Sequence, residues 1–185
     1  MGKIEDLATN YARHISLPWQ QSVTGAQRVM LLVYDKEDDR KLTARIGEFE
    51  IKTREAGHEW MVFDCTTTFS DWISGDEYHE AYFESPEDIK MKIEGEFVNN
   101  IVSPLREKLQ NANDNTVVAV TGVASLYGFA HVSEIVRKVE LDIRGRLVIF
   151  FPGTKDGNNY RFLDSRDGWN YLAIGITAHS TGGVT

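Results

Sequence analysis

Apolar residues recur along this chain in two rhythms. Ile4, Leu7, Ala8, Tyr11, Ala12 and Ile15 follow the i, i+3, i+4, i+7 spacing of an amphipathic helix, so the chain is expected to open with one. Val29-Met30-Leu31-Leu32-Val33-Tyr34 is then an unbroken apolar run of strand length, the pattern of a strand buried on both faces in a parallel sheet. Trp60-Met61-Val62-Phe63, Val117-Val118-Ala119-Val120 and Leu147-Val148-Ile149-Phe150-Phe151 repeat it, with helical stretches between them. Such alternation predicts right-handed βαβ units with helices on both faces of the sheet. The expected architecture is α/β: a single three-layer domain over residues 1–178, with a mostly parallel sheet of about four to six strands flanked by helices.

Punctuation residues refine the layout. Ser85-Pro86 and Ser103-Pro104 each set a hydroxyl before a proline, the arrangement favoured at a helix start, so each is expected to begin a helix. The second falls within the periodic stretch Ile89, Ile93, Phe97, Ile101, Leu105 and Leu109, which predicts either two helices or one kinked helix. Beyond Pro152-Gly153, the β-rich residues 160–163 and 169–176 flank the turn-forming cluster Asp164-Ser165-Arg166-Asp167-Gly168. A C-terminal hairpin or irregular edge is expected there. Residues 179–185 are small and polar and are expected to be a disordered tail.

Composition narrows the partners. With 185 residues, 42% hydrophobic and 26% charged, the chain is long enough for one buried core and ordinary for a globular protein. No apolar run approaches the roughly 20 residues of a membrane span. The opening Met1-Gly2-Lys3-Ile4-Glu5-Asp6 has no secretory apolar region, and Cys65 is alone, excluding an intrachain disulfide or a multi-cysteine zinc site. The expectation is a soluble, cytoplasmic protein without a membrane partner. A net charge of −8 argues against direct nucleic-acid binding, which draws on Lys and Arg against phosphate. Arg137-Lys138 and the pair Arg144 and Arg146 are too short to reverse that and are expected to be ordinary solvated ends.

Open α/β sheets place ligands beyond the carboxyl ends of their strands, so the residues after each apolar run are the ones to test. Asp35-Lys36-Glu37-Asp38-Asp39-Arg40 has no glycine and is net negative, which suits an acidic first helical turn and not a phosphate cradle. Thr121-Gly122-Val123-Ala124-Ser125-Leu126-Tyr127-Gly128 sets five residues between its glycines and continues with Phe129-Ala130, where a P-loop needs Lys and a hydroxyl. Ser125 lacks the flanking glycines of a nucleophile elbow. His79-Glu80 opens like a zincin helix, but Phe83 occupies the second histidine position. One pair survives: Asp35 and Asp64 each close an apolar run and would hold Mg²⁺ if their strand ends converge. Together with Arg40 they support the alternative of a Mg²⁺-dependent nucleotide- or phosphoryl-processing enzyme; otherwise no cofactor is expected.

Four segments carry a family resemblance: Val33-Tyr34-Asp35, Gly122-Val123-Ala124-Ser125-Leu126-Tyr127-Gly128-Phe129-Ala130-His131-Val132-Ser133, Phe150-Phe151-Pro152-Gly153, and Trp169-Asn170-Tyr171. In their order and spacing the chain resembles the BrxB family, a small component of BREX bacteriophage-defence systems, over nearly its whole length. It departs from the family pattern at Gly128, where proline is usual, and at His131, where arginine is. The resemblance implies a non-catalytic adaptor that binds a PglZ alkaline-phosphatase-like protein and links it to a BrxC-type ATPase. It brings no catalytic residues. The residues themselves point the same way, because aromatics near the strand ends, Trp72 among them, are of the type that anchors protein interfaces. The expected partner-contacting set is Tyr34, Tyr127, Phe129, Tyr160, Trp169 and Tyr171.

Overall fold

Every residue of the run Val29–Tyr34 is buried, and the run forms strand β1. The other three runs become β2 (Glu59–Asp64), β3 (Thr116–Thr121) and β4 (Arg146–Asp156); β2 departs from the expected burial on both faces, because it is an end strand of the sheet and Val62 is exposed. The computed structural model describes residues 2–77, 79–165 and 168–179. In it the strands stand in the order β2-β3-β4-β1-β7, where β7 is Ile174–Ile176, and all neighbours on that path are parallel. β4 outruns its parallel partners. Tyr34 still pairs with Pro152, but from Gly153 onward β4 pairs antiparallel with β5 (Asn159–Phe162), which in turn pairs with β6 (Trp169–Asn170). Among the described residues the sheet therefore has seven strands: a parallel body and an antiparallel arm growing from its longest strand.

Strand alternation sorts the core into two layers. Leu31, Val33, Val118, Val120, Leu147 and Ile149 face helices α6 (Val98–Asn111) and α7 (Val132–Val139). Met30, Leu32, Val117, Ala119, Val148 and Phe150 face α1 (Lys3–Ile15) and α2 (Asp39–Glu55). The division follows from connectivity. α2 carries the chain from β1 past two strands to the far edge, whereas the later connections return one strand at a time. Crossovers of a single hand must put helices of opposite travel on opposite faces. Between β2 and β3 the chain also forms α3 (Thr68–Ser74), α4 (His79–Glu84) and α5 (Pro86–Lys92). Among the described residues no helix is long and apolar enough to cross a membrane.

Two local expectations change. Ser85-Pro86 does begin α5, with the proline in its first turn, but Ser103-Pro104 begins nothing: Pro104 lies inside α6. An interior proline costs about 3 kcal/mol. Phe97, Val98, Ile101, Val102, Leu105 and Leu109 are all buried along the same stripe, and such a side chain contributes about 1.5–3 kcal/mol when buried. Burial wins, and the irregularity appears upstream of the proline as a π-helical turn, Ile93–Phe97, through which α5 runs into α6. The expected C-terminal hairpin exists as β5 and β6, but residues 174–176 leave it and return to the parallel sheet beside β1. A second hairpin, between β4 and β5, closes through Gly157-Asn158, with Gly157 at φ 57° as a tight two-residue turn requires. Arg166 and Asp167 of the expected turn cluster, and residues 180–185 of the expected tail, lie outside the described residues.

Candidate functional site at the carboxyl ends of the strands

Asp35 and Asp64 do follow strands that end on the same side of the sheet, but β3 and β4 stand between those strands. Three strand spacings separate them by roughly 14 Å. They do not form one site. Asp35 takes the Lys3 ammonium at 2.6 Å, and Arg40 sits in the first turn of α2. Asp64 Oδ1 accepts the Thr66 amide at 3.0 Å and the Thr66 hydroxyl at 2.6 Å, closing a turn at the end of β2. Among the described residues no group of three or more His, Cys, Asp or Glu side chains is placed to hold a metal ion.

The Asp64 turn supports the loop after β3. Gly122 adopts φ 71°, in the left-handed region, and approaches Asp64 and Thr66 closely. Val123 and Leu126 then bury themselves in a short 3-10 turn leading to α7. The loop is a packed connection, with no nucleophile elbow at Ser125. Next to Asp64, Cys65 is buried, and burial together with the Asp64 charge pushes its thiol up to about 12. Partial burial opposes ionisation of Asp64, but hydrogen bonds from the Thr66 hydroxyl, the Thr66 amide and Thr121 outweigh it and hold the carboxyl below its ordinary value of 3.8. A depressed carboxylate stabilises the fold above its unfolded pKa and loses that contribution as pH falls through the folded value. Asp64→Asn is therefore expected to be less stable than the wild-type protein near neutrality. The gap should narrow in acid below the ordinary value of 3.8, as read from denaturation midpoints across pH. A gap that does not change with pH would remove the carboxylate from this role.

The six aromatics of the expected partner set divide. Tyr34 is 8% exposed and Tyr160 1%, so both are core residues and neither offers a surface. Burial of a long apolar ring is tolerated because each hydroxyl has a partner: Tyr34 donates to Asp39 Oδ1 at 2.6 Å and Tyr160 to the Ala173 carbonyl at 3.4 Å. Tyr34 also lies on the α1/α2 face, away from the others. Tyr127 and Phe129, at 43% and 36%, are exposed, and Trp169 and Tyr171 are half-buried.

On the arm these rings form a chain. Tyr160 meets Trp169 at 6.1 Å between centroids, Trp169 stacks on Tyr171 at 4.5 Å, and Tyr127 reaches Phe162 at 5.9 Å. Phe151 ties the two ends together through Tyr160 and Phe162. Phe162 is absent from the expected set, although its two-residue spacing from Tyr160 puts both on one face of β5. Phe129 belongs to a second ring cluster, stacked on Phe69 at 3.9 Å above Trp72 and Phe97. Between the start of α7 and the arm lies a cleft of about 320 Å³ lined by His131, Ser133, Phe151, Phe162, Gly168 and Trp169. Three of the four resemblance-bearing segments, 122–133, 150–153 and 169–171, meet around this cleft; only Val33-Tyr34-Asp35 lies apart. Trp169 Nε1 is buried there without an acceptor among the described residues.

Compared with protein-family models, with curated proteins and with solved structures, the chain has no match.

Proposed function

We propose that this protein is a non-catalytic cytoplasmic adaptor of a BREX-type phage-defence complex, binding a PglZ-like protein and linking it to a BrxC-like ATPase. The observation that carries the reading is convergence: segments far apart in the chain that resemble the BrxB pattern come together around one aromatic-lined cleft on the antiparallel arm. Clustered rings that expose an edge and bury their bodies are suited to anchoring a partner, since a few desolvated aromatics dominate interface energetics. The net charge of −8 disfavours nucleic acid as that partner. The Mg²⁺-dependent alternative loses its motivating pair, because Asp35 and Asp64 end strands that are not neighbours.

The test is co-purification of the tagged protein with PglZ-like and BrxC-like proteins encoded beside it. Tyr127 is exposed, so Tyr127→Ala should leave the fold intact while weakening capture of the PglZ-like protein by about 30-fold, the loss typical of a strong interface anchor. Recovery of the wild-type protein alone, in salt that preserves the rest of the complex, would overturn the proposal.

A further inference from the structure

At the opposite edge of the sheet, where the strands begin, Arg146 opens β4 with only 6% of its surface exposed. The expectation of a solvated arginine is corrected here, because Arg146 sits in the α1/α2 layer at the head of a central strand. No carboxylate among the described residues pairs with it. Its guanidinium donates to the Gly145 carbonyl at 3.0 Å and the Gln20 carbonyl at 3.2 Å, and lies 4.8 Å from the centre of the Trp19 ring. A guanidinium has five N–H donors, so these contacts leave donors over. Burial, and then the neighbouring Arg28, lower its pKa. A buried cation without a counter-ion is costly to a fold.

Arg146 lines a cleft of about 320 Å³ whose walls are mostly apolar, including Val23, Met30 and Ile174. Leu17 and Leu172 flank it and are 51% and 68% exposed, unusual values for leucines beside an apolar cleft. Trp19 also lines it. Its ring is stacked on His58 at 3.7 Å with the Arg146 guanidinium 4.8 Å from its centre, while its Nε1 is buried with no acceptor among the described residues. The wall thus combines apolar surface with a guanidinium that no carboxylate pairs among the described residues and a buried indole N–H. The complementary ligand carries acceptor oxygens and negative charge at one end and hydrocarbon at the other. A carboxylate matches the planar guanidinium fork best.

We propose that this cleft binds a carboxylate carried on a short aliphatic body, with Arg146 holding the carboxylate and Leu17 and Leu172 flanking the hydrocarbon. The site lies where the parallel strands begin, with Leu172 its link in the chain to the arm, and does not depend on the adaptor reading. Two sources supply this chemistry, a free aliphatic acid and the carboxyl-terminal leucine of a polypeptide. Titration of the full-length protein, followed by NMR or calorimetry, would use isocaproate, isocaproamide, and a short peptide ending in leucine with a free or an amidated terminus. Isocaproate is expected to bind in the millimolar range and its amide about tenfold more weakly. Arg146→Met should erase the preference for acid over amide, and Arg146→Lys should retain part of it. Should Arg146→Met fail to fold, Leu172→Glu changes an exposed residue at the cleft and should weaken isocaproate by like-charge repulsion. A free-terminus peptide binding more tightly than isocaproate assigns the site to a protein tail, and isocaproate binding without peptide binding assigns it to a small molecule. Equal affinity for acid and amide, no binding of any of these probes to the wild-type protein, or indifference to Leu172→Glu would overturn the proposal, leaving Arg146 only to pin the segment around Gln20.

Discussion

Gly122→Ala is expected to destabilise the protein by about 3 kcal/mol, lowering the thermal midpoint by about 6–12 °C. Two costs coincide. At φ 71° an L-residue is strained, by about 1–2 kcal/mol. In addition, a Cβ built there falls 2.4 Å from Thr66 Oγ1, 2.6 Å from Asp64 Oδ1 and 2.6 Å from the Thr66 amide nitrogen. A hydroxyl can rotate away, but the amide is backbone. Relief would require breaking the turn in which Asp64 holds Thr66. Gly128 is an internal control, at φ 84° with nothing within 4 Å of an added Cβ. Gly128→Ala should show the conformational cost alone, about 1–2 kcal/mol. Thermal unfolding of both variants separates the terms, and equal midpoints would show that the contact with Asp64 and Thr66 does not matter.

Gly153→Ala should act locally instead. Gly153 is the first residue at which β4 pairs with β5, opposite Phe162, and an added Cβ would lie 2.0 Å from the Arg161 carbonyl oxygen and 3.1 Å from Phe151 Cε1. No rotamer change relieves a collision with a facing strand. The arm is expected to lose its pairing while the parallel body, held through β1, β3 and β4 up to Pro152, stays folded. Amide exchange over residues 159–171 should accelerate about 100-fold, equivalent to about 3 kcal/mol of local opening, with little change in β1 and β3. Partner capture through Tyr127 and Trp169 should fall with it, since both are positioned by rings of the arm. Uniform loss of protection across the whole chain would show that arm and body unfold as one unit.

These two glycines mark where local pattern stops being informative. Continuous apolar runs identified all four long strands; in β1, β3 and the parallel part of β4 the reason is cover on both faces, whereas β2 keeps its run at the sheet edge with Val62 37% exposed. The spacing of Ile4, Leu7, Tyr11 and Ile15 identified α1 for the equivalent reason on a helix. Ser85-Pro86 was legible as a helix start, while Ser103-Pro104 was not, because the decision at Pro104 rests on a buried stripe packed against the sheet and not on the dipeptide. The three-residue strand β7 is too short to show a period of its own.

The sites depended more on tertiary structure. Asp35 and Asp64 are equivalent in sequence, each closing a strand, and only the strand order separates them by two intervening strands. Tyr34 and Tyr160 look like Tyr127 until packing buries the first two and leaves the third at the surface. Arg146 follows a short loop like any solvated arginine, yet strand pairing carries it into the interior without a counter-ion. The sequence by itself determined the four long strands and the opening helix, because burial on one or both faces leaves a periodic record along the chain. Tertiary structure decided which strand ends meet, which aromatics stay exposed and which charge is left unpaired, because neighbours distant in sequence set each of these and a local pattern holds no trace of them.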